Sequence, residues 1–444
     1  MKTREFFLLL LIIAAGIVLT HYENGEMENW KVRWAWDGPF IRLGRAFTFE
    51  ESGELLPPFS RTLEVVNEHG SVKVLGEARE NMTVTLTKTV WRRKEADARR
   101  AAERLGLIIR NDGEKVIVSA GRPDLPLRNH ETHLTLSVPE GLNVTVRNGH
   151  GRVKTFRTGD TVISNSHGRV EAGEVRGTLL LENRHGDVAA VDLSSDCSIR
   201  NGHAAVFTAR VKGNLKIEHA YGPVTVEDVS GDVTVNAPHS RVTALRLAGT
   251  TAVDSSYQTV SLAHTGTVAV RGRHAVVALR SVRGVIDVSN SYGRTEIVDA
   301  TGRVNILGRN MTVRGEGLTA SEIEIATSYG DIILRNFSGR TMIRQKHAAV
   351  RLEPSSVAAG IRVEGQYAAL ELLWPAAARS PIECRARDGD IRWEISETPS
   401  LSRSNGLSLL RVFSDLEGMP PVLLSTTHAD ITVREASPAG EQEP

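Results

Sequence analysis

One motif recurs along this chain with a period near 18 residues, and it constrains the fold more tightly than composition does. The pattern is apolar-x-apolar-x-Asn-x-His/Tyr-Gly/Ala-x-Val. Its clearest copies run from Ile163 through Asn165, His167 and Gly168 to Val170, and from Leu181 through Asn183, His185 and Gly186 to Val188. The His/Tyr position, taken as an anchor, is filled in turn by His150, His167, His185, His203, Tyr221, His239, Tyr257, His274, Tyr292, Asn310, Tyr329, His347, Tyr367 and Asp388, with outlying copies at His69 and His428. Ten steps cover the 179 residues from His150 to Tyr329, which sets the period. Nine of the 14 histidines and five of the 6 tyrosines fall on the anchor, so the alignment of copies is secure.

The columns beside the anchor explain the repeat. Four residues earlier stand Val146, Ile163, Leu181, Ile199, Ile217, Val235 and Val253; three later stand Val153, Val170, Val188, Val206, Val224 and Val242. Gly159, Gly177, Gly213, Gly231 and Gly249 mark a second turn. Alternating residues between turns read as short strands. One copy cannot bury its apolar stripe alone, whereas stacked copies can, each strand bonding its equivalent in the next coil. The expected fold is all-β: a single-chain parallel β-solenoid (β-helix) with coils of about 18 residues. Fourteen anchors at about 4.8 Å per coil give a rod of roughly 65 Å. A content of 41% hydrophobic and 24% charged residues is enough for such a core and excludes global disorder.

The register also assigns the two cysteines. Cys197 and Cys384 fall on inward positions many coils apart, too far to bridge, and read as inert core residues. The regular repeats span 141–394. Before them, 61–140 reads as the N-terminal cap of the solenoid, with one inserted short helix at 93–105 where the chain is Ala-rich and Glu95 and Arg99 have helical spacing. After them, 395–418 reads as an irregular insertion, 419–434 as the last strands and 435–444 as a disordered tail.

A leading strand such as Leu63 to Val72, a charged excursion, a Val-Pro-x-Gly segment (Val138, Pro139, Gly141) and repeated Asn-x-x-Gly-x-Val turns together resemble the bacterial putative-adhesin family, a domain of unknown function built of β-strand repeats. The resemblance covers about residues 60–370. It implies the β-repeat fold and an exported, adhesin-like role. It carries over no catalytic residues.

The start of the chain bears on location. Lys2 and Arg4 precede an unbroken apolar run over 6–20. That run has the size of a signal-peptide core, and the flanking charge orients the rest of the chain away from the cytoplasm. Residues 1–22 therefore read as an export signal or membrane anchor forming an N-terminal hydrophobic helix, and 23–60 as a juxtamembrane linker. Trp30, Trp34 and Trp36, interleaved with Lys31 and Arg33, fit either an interfacial belt or a strand docked on the solenoid end.

For the His/Tyr column two readings compete. One is a metal-binding or pH-sensing strip, since neighbouring coils bring imidazoles about 5 Å apart. The other is a structural ladder of stacked turn residues, facing inward or along the wall. Free exchange of Tyr for His, and the lack of an accompanying Cys or carboxylate column, favour the ladder. Asn148, Asn165, Asn183, Asn201 and Asn290, two residues ahead of their anchors, share core parity and read as a second, inward ladder. The outward acids Glu182, Glu218, Asp254 and Asp287 are scattered among Lys216, Arg271 and Arg273, as on a solvated mixed-charge wall.

No catalytic, cofactor or metal residues are expected. A formal net charge of +1 argues against nucleic acid. The leading expectation is a non-catalytic cell-envelope protein, tethered through residues 6–20, that binds an envelope protein or glycan or acts as a structural rod. The alternatives are a carbohydrate-active β-solenoid enzyme of the envelope and a scaffold self-assembling through end-to-end contacts between copies.

Overall fold

The computed structural model describes residues 44–121, 129–376, 378–413, 416 and 418–436. The chain is all-β and winds as a parallel solenoid of about 13 turns. A typical coil has two strands, as in Thr161–His167 with Val170–Val175 and Leu179–His185 with Val188–Leu193. Successive coils pair in register, so that Ile163 lies beside Leu181, Asn165 beside Asn183 and His167 beside His185. Equivalent residues stack and the apolar columns close into one continuous core: Val146, Ile163, Leu181, Ile199, Ile217, Val235 and Val253 are each at most 3% exposed. Farther along, the run Ile286–Thr327 winds through more than two coils as one continuous strand, with a register shift between Thr319 and Glu322.

Two kinds of backbone corner make the coil. At the anchor, the residue after it takes positive φ in the earlier coils: Gly70 127°, Gly151 131°, Gly168 120°, Gly186 133° and Gly222 127°, with Ala204 at 81°. A Cβ on Gly168 would collide with the carbonyl oxygen of Gly151 in the coil beneath, which explains the stacked glycines there. In later coils the anchor itself takes the left-handed conformation, as at Tyr257 (65°), His274 (58°), Tyr292 (59°) and Asn310 (51°). A second corner bends the second strand at Arg157, Glu174, Asp192, Arg210, Asp228 and Arg246, all with φ between 50° and 59°. A left-handed residue shifts the inward–outward alternation by one, so strand Val170–Val175 buries Val170, Ala172 and then Val175.

Both ends depart from simple winding. The first full coil, Thr62–His69 with Val72–Glu77, is not outermost. It lies between Asn143–His150 with Val153–Phe156 on one side and Val116–Ala120 with His130–Pro139 on the other. Likewise Val422–Thr427 lies between Ile361–Gly365 and Ile382–Arg387, and Ile431–Glu435 between Leu370–Trp374 and Ile391–Glu394. Antiparallel strands flank both ends: Met82–Arg92 beside His130–Pro139, with Arg45–Leu55 beyond it, and Leu407–Val412 beside Ile382–Arg387, with Ser400–Ser404 beyond it.

These pairings correct two expectations from sequence. Part of the segment read as a linker, Arg45–Leu55, is a strand in full register with Met82–Arg92. Most of the segment read as an irregular insertion, 395–418, is the ordered hairpin Ser400–Ser404 and Leu407–Val412. The tail begins later than 435, since Ile431–Glu435 is a strand; 437–444 lie outside the described residues.

The inserted helix spans Glu95–Glu103. It buries Ala98, Ala101 and Ala102 against Val90 and Leu105, with Phe47 and Phe49 packed alongside. Lys88, 6% exposed, is held beneath it by Glu51 Oε2 at 2.6 Å and the Ala102 carbonyl at 3.3 Å. Among the described residues no helix is long and apolar enough to cross a membrane. The apolar run 6–20, with the expected N-terminal helix, and Trp30, Trp34 and Trp36 lie outside the described residues.

Candidate functional site

Three ladders run along the solenoid. The first is the anchor column. From His150 through His167, His185, His203, Tyr221, His239, Tyr257, His274 to Tyr292, each ring lies face to face with the next at centroid separations of 4.7–5.6 Å, and His69 joins at 5.0 Å from His150 with its ring tilted by 33°. His130 closes one end edge-on against His69 at 5.9 Å. A second stack, Tyr329, His347, Tyr367 and His428, has separations of 4.7–5.3 Å. Asn310 holds the one anchor between the two stacks.

Of the two orientations expected, inward or along the wall, the inward one is not what these rings take. Tyr221, Tyr257, Tyr292, Tyr329 and Tyr367 are 50–55% exposed, and His150, His167, His185 and His203 are exposed too. The corner ends the interior at the Asn position, so the anchor side chain emerges and finds its packing partner in the next coil.

The ring geometry bears on metal binding. An imidazole lone pair lies in the ring plane, and His150 and His167 are only 5° from parallel at 4.7 Å. Stacked rings therefore direct their lone pairs side by side and do not converge on one ion. Burial, and next the neighbouring imidazoles, hold His69 and His167 below the usual histidine range, so adjacent rungs resist sharing charge.

Inside the corner runs the second ladder. Asn67 Nδ2 donates to Asn148 Oδ1 at 3.1 Å, Asn148 to Asn165 at 2.9 Å, and Asn165 to Asn183 at 3.1 Å. Asn183 Nδ2 also donates to the Gly168 and Gly186 carbonyls, and Asn201 to those of Gly186 and His203. The amides thus satisfy the carbonyls that the turn leaves over. Asn290 does the same for Ala275 at 2.8 Å.

His219 continues this column after Asn201 and was not singled out from sequence. It is 4% exposed, and its Nδ1 lies 3.0 Å from the Asn201 carbonyl oxygen. Burial pushes its pKa down. Its place two residues before the anchor Tyr221 was the available signal.

The third ladder is the bend column, also missed, because its residues are chemically mixed. Asp192 takes two hydrogen bonds from Arg210, at 2.6 and 2.9 Å. Asp228 takes two from Arg246, and Glu174 one from Arg157 at 2.9 Å. On the adjoining wall Glu218 lies 2.8 Å from both Arg200 and Lys216, whose hydrogen bonds hold its carboxyl below the usual range. Glu182 registers against Arg200 and Asp254 against Arg271, while Asp287 accepts from Asn305 at 3.0 Å. Each of these named acids is laid against a cation or an amide of a neighbouring coil and not against a second carboxylate, as a catalytic pair would be. Cys197 and Cys384 are both buried and unbridged.

No protein family and no curated protein match the chain. One solved structure does: a crystal structure described as a "putative cell adhesion protein" from Clostridium sporogenes, 7% identical, with alignment over 88% of this chain and 100% of that one. Its TM-score of 0.19 gives it no weight here.

Proposed function

We propose that this chain is a non-catalytic β-solenoid that acts outside the cytoplasm as an adhesin-like interaction or structural element, exported or anchored through residues 1–22. The observation that carries the non-catalytic reading is the wall chemistry. Glu218, Asp192 and Asp228 are each engaged by arginine or lysine, which lowers their pKa, whereas an acid catalyst needs a raised one. Against self-assembly through coil ends stand the antiparallel strands Met82–Arg92 and Leu407–Val412, which interrupt the parallel register a second copy would extend.

Location is tested on the full chain in a bacterial host. With a C-terminal reporter that works only outside the cytoplasm, activity is expected. With the segment retained as an anchor, the protein should pellet with membranes and resist high-salt washing, which removes electrostatically held proteins but not an inserted segment. A soluble protein bearing a reporter active only in the cytoplasm would overturn the proposal.

A further inference from the structure

Among the described residues, one rung in the interior of the ring ladder lacks a ring. Asn310 stands where every neighbouring anchor carries a ring, with Tyr292 one coil before it and Tyr329 one coil after. Its backbone is that of an anchor, with φ of 51° against 59° at Tyr292. The column therefore continues while the ring is missing. Tyr292 is stacked on its other side by His274 at 5.0 Å, and Tyr329 by His347 at 4.7 Å. Among the described residues neither tyrosine has a ring stacked on its other face. Two coil steps separate them, roughly 9.6 Å. A flat ring midway would lie about 4.8 Å from each, within the 4.7–5.6 Å spacing of the occupied rungs.

The surroundings of the gap are cationic and partly apolar. Arg309 precedes Asn310, and the equivalent position two coils away is Arg273 on one side and Lys346 on the other. All three are exposed, and among the described residues none forms an ion pair, unlike Arg210 or Arg246 at the bend corner. Leu307, on the same outward face two residues before Arg309, is 58% exposed. Asp331, past the corner in the next coil, accepts the Ala349 N–H.

We infer that the gap at Asn310 is a binding site for a small planar aromatic anion, its ring stacked between Tyr292 and Tyr329 and its acidic group met by Arg309. Aromatic faces prefer a parallel neighbour at this spacing, and a guanidinium is suited to a carboxylate or phosphate. This inference stands apart from the chain's location and from its proposed role.

The test uses the full chain and 4-nitrobenzoate as probe, with cyclohexanecarboxylate (equal charge, no flat ring) and 4-nitrobenzamide (flat, uncharged) as comparisons. Ligand-observed NMR should show saturation transfer to 4-nitrobenzoate and an upfield shift of its ring protons, as expected between two tyrosine faces. Asn310→Tyr fills the rung, and Tyr292 and Tyr367 show that this column accepts tyrosine. It should weaken binding at least about tenfold, the loss of one stacking site. Arg309→Gln should weaken 4-nitrobenzoate and leave 4-nitrobenzamide unchanged. Asn310→His serves if the tyrosine variant fails to fold by circular dichroism. No binding to the wild type, equal binding to folded Asn310→Tyr, or equal binding of cyclohexanecarboxylate would each overturn the inference.

Discussion

His428 stacks on Tyr367 at a centroid distance of 4.9 Å, although the whole segment 368–427 lies between them in the chain. On its far side its Nδ1 is 3.5 Å from Asp388 Oδ2. The last anchor in sequence is thus an interior rung, set between two anchors that precede it. The period assigns it to the column, and only strand pairing assigns it to its coil.

The apolar columns carry the fold. Val235 is 1% exposed and registers between Ile217 and Val253. Val235→Asp places an unpaired charge in that column and should cost about 3 kcal/mol or more. Chemical denaturation followed by circular dichroism measures it; an unchanged midpoint would refute the inward assignment.

The amide ladder should be costly to interrupt. Asn183→Ala removes the donor to the Gly168 and Gly186 carbonyls as well as the acceptor for Asn165. The expected loss is about 1–3 kcal/mol. An outward substitution in the same strand, Glu182→Ala, is the control and should leave stability nearly unchanged.

Acid should weaken the solenoid through His219. Burial holds this imidazole below its ordinary 6.5, so the unfolded chain binds the proton more readily than the folded one. Its folded form is therefore unpenalised above 6.5 and loses stability as pH falls through 6.5 toward the lower folded value. His219→Asn restores the amide of the preceding rungs. The decline in melting temperature between about pH 7.5 and pH 5 should be smaller in this variant than in the wild type.

The bend-corner ion pairs should matter little by comparison. Asp228→Asn breaks the two-point contact with Arg246, but that contact is solvent-exposed. Thermal melting should show a small loss that disappears in high salt. A large, salt-independent loss would mark this corner as a structural lock.

Burial pushes the thiols of Cys197 and Cys384 up to about 12. Native protein should resist a thiol-reactive dye, and both cysteines should label in denaturant. Fast labelling of the native chain would show that the coils around them open.

The strand columns, the coil length and the helix at Glu95–Glu103 were legible because each rests on a local period. The outward exit of His167 was not: counting alternate residues assumes extended backbone, and the positive φ of Gly168 ends that assumption one residue later. Ser400–Ser404 and Leu407–Val412 escaped notice because an antiparallel hairpin at the edge needs no anchor and no turn glycine column. Arg45–Leu55 was hidden for a related reason. Its partner is Met82–Arg92 and no repeat, so nothing in its own sequence copies a neighbour. The gap at Asn310 could be read directly from the column, yet its meaning depends on Tyr292 and Tyr329 being stacked on only one side.

The interleaving at both ends has a consequence for how the chain is made. Thr62–His69 emerges before either of its partners, Val116–Ala120 and Asn143–His150, and must wait unpaired until both arrive. Winding therefore cannot proceed vectorially from the first coil. At the other end, Val422–Thr427 slides like a bolt between Ile361–Gly365 and Ile382–Arg387. Removing that last segment would not trim the rod by one turn; it would open a slot inside it and leave the Ser400–Ser404 hairpin hanging on a detached coil. Drawing Val422–Thr427 out must break pairing on both sides, where an edge coil would part from one neighbour only.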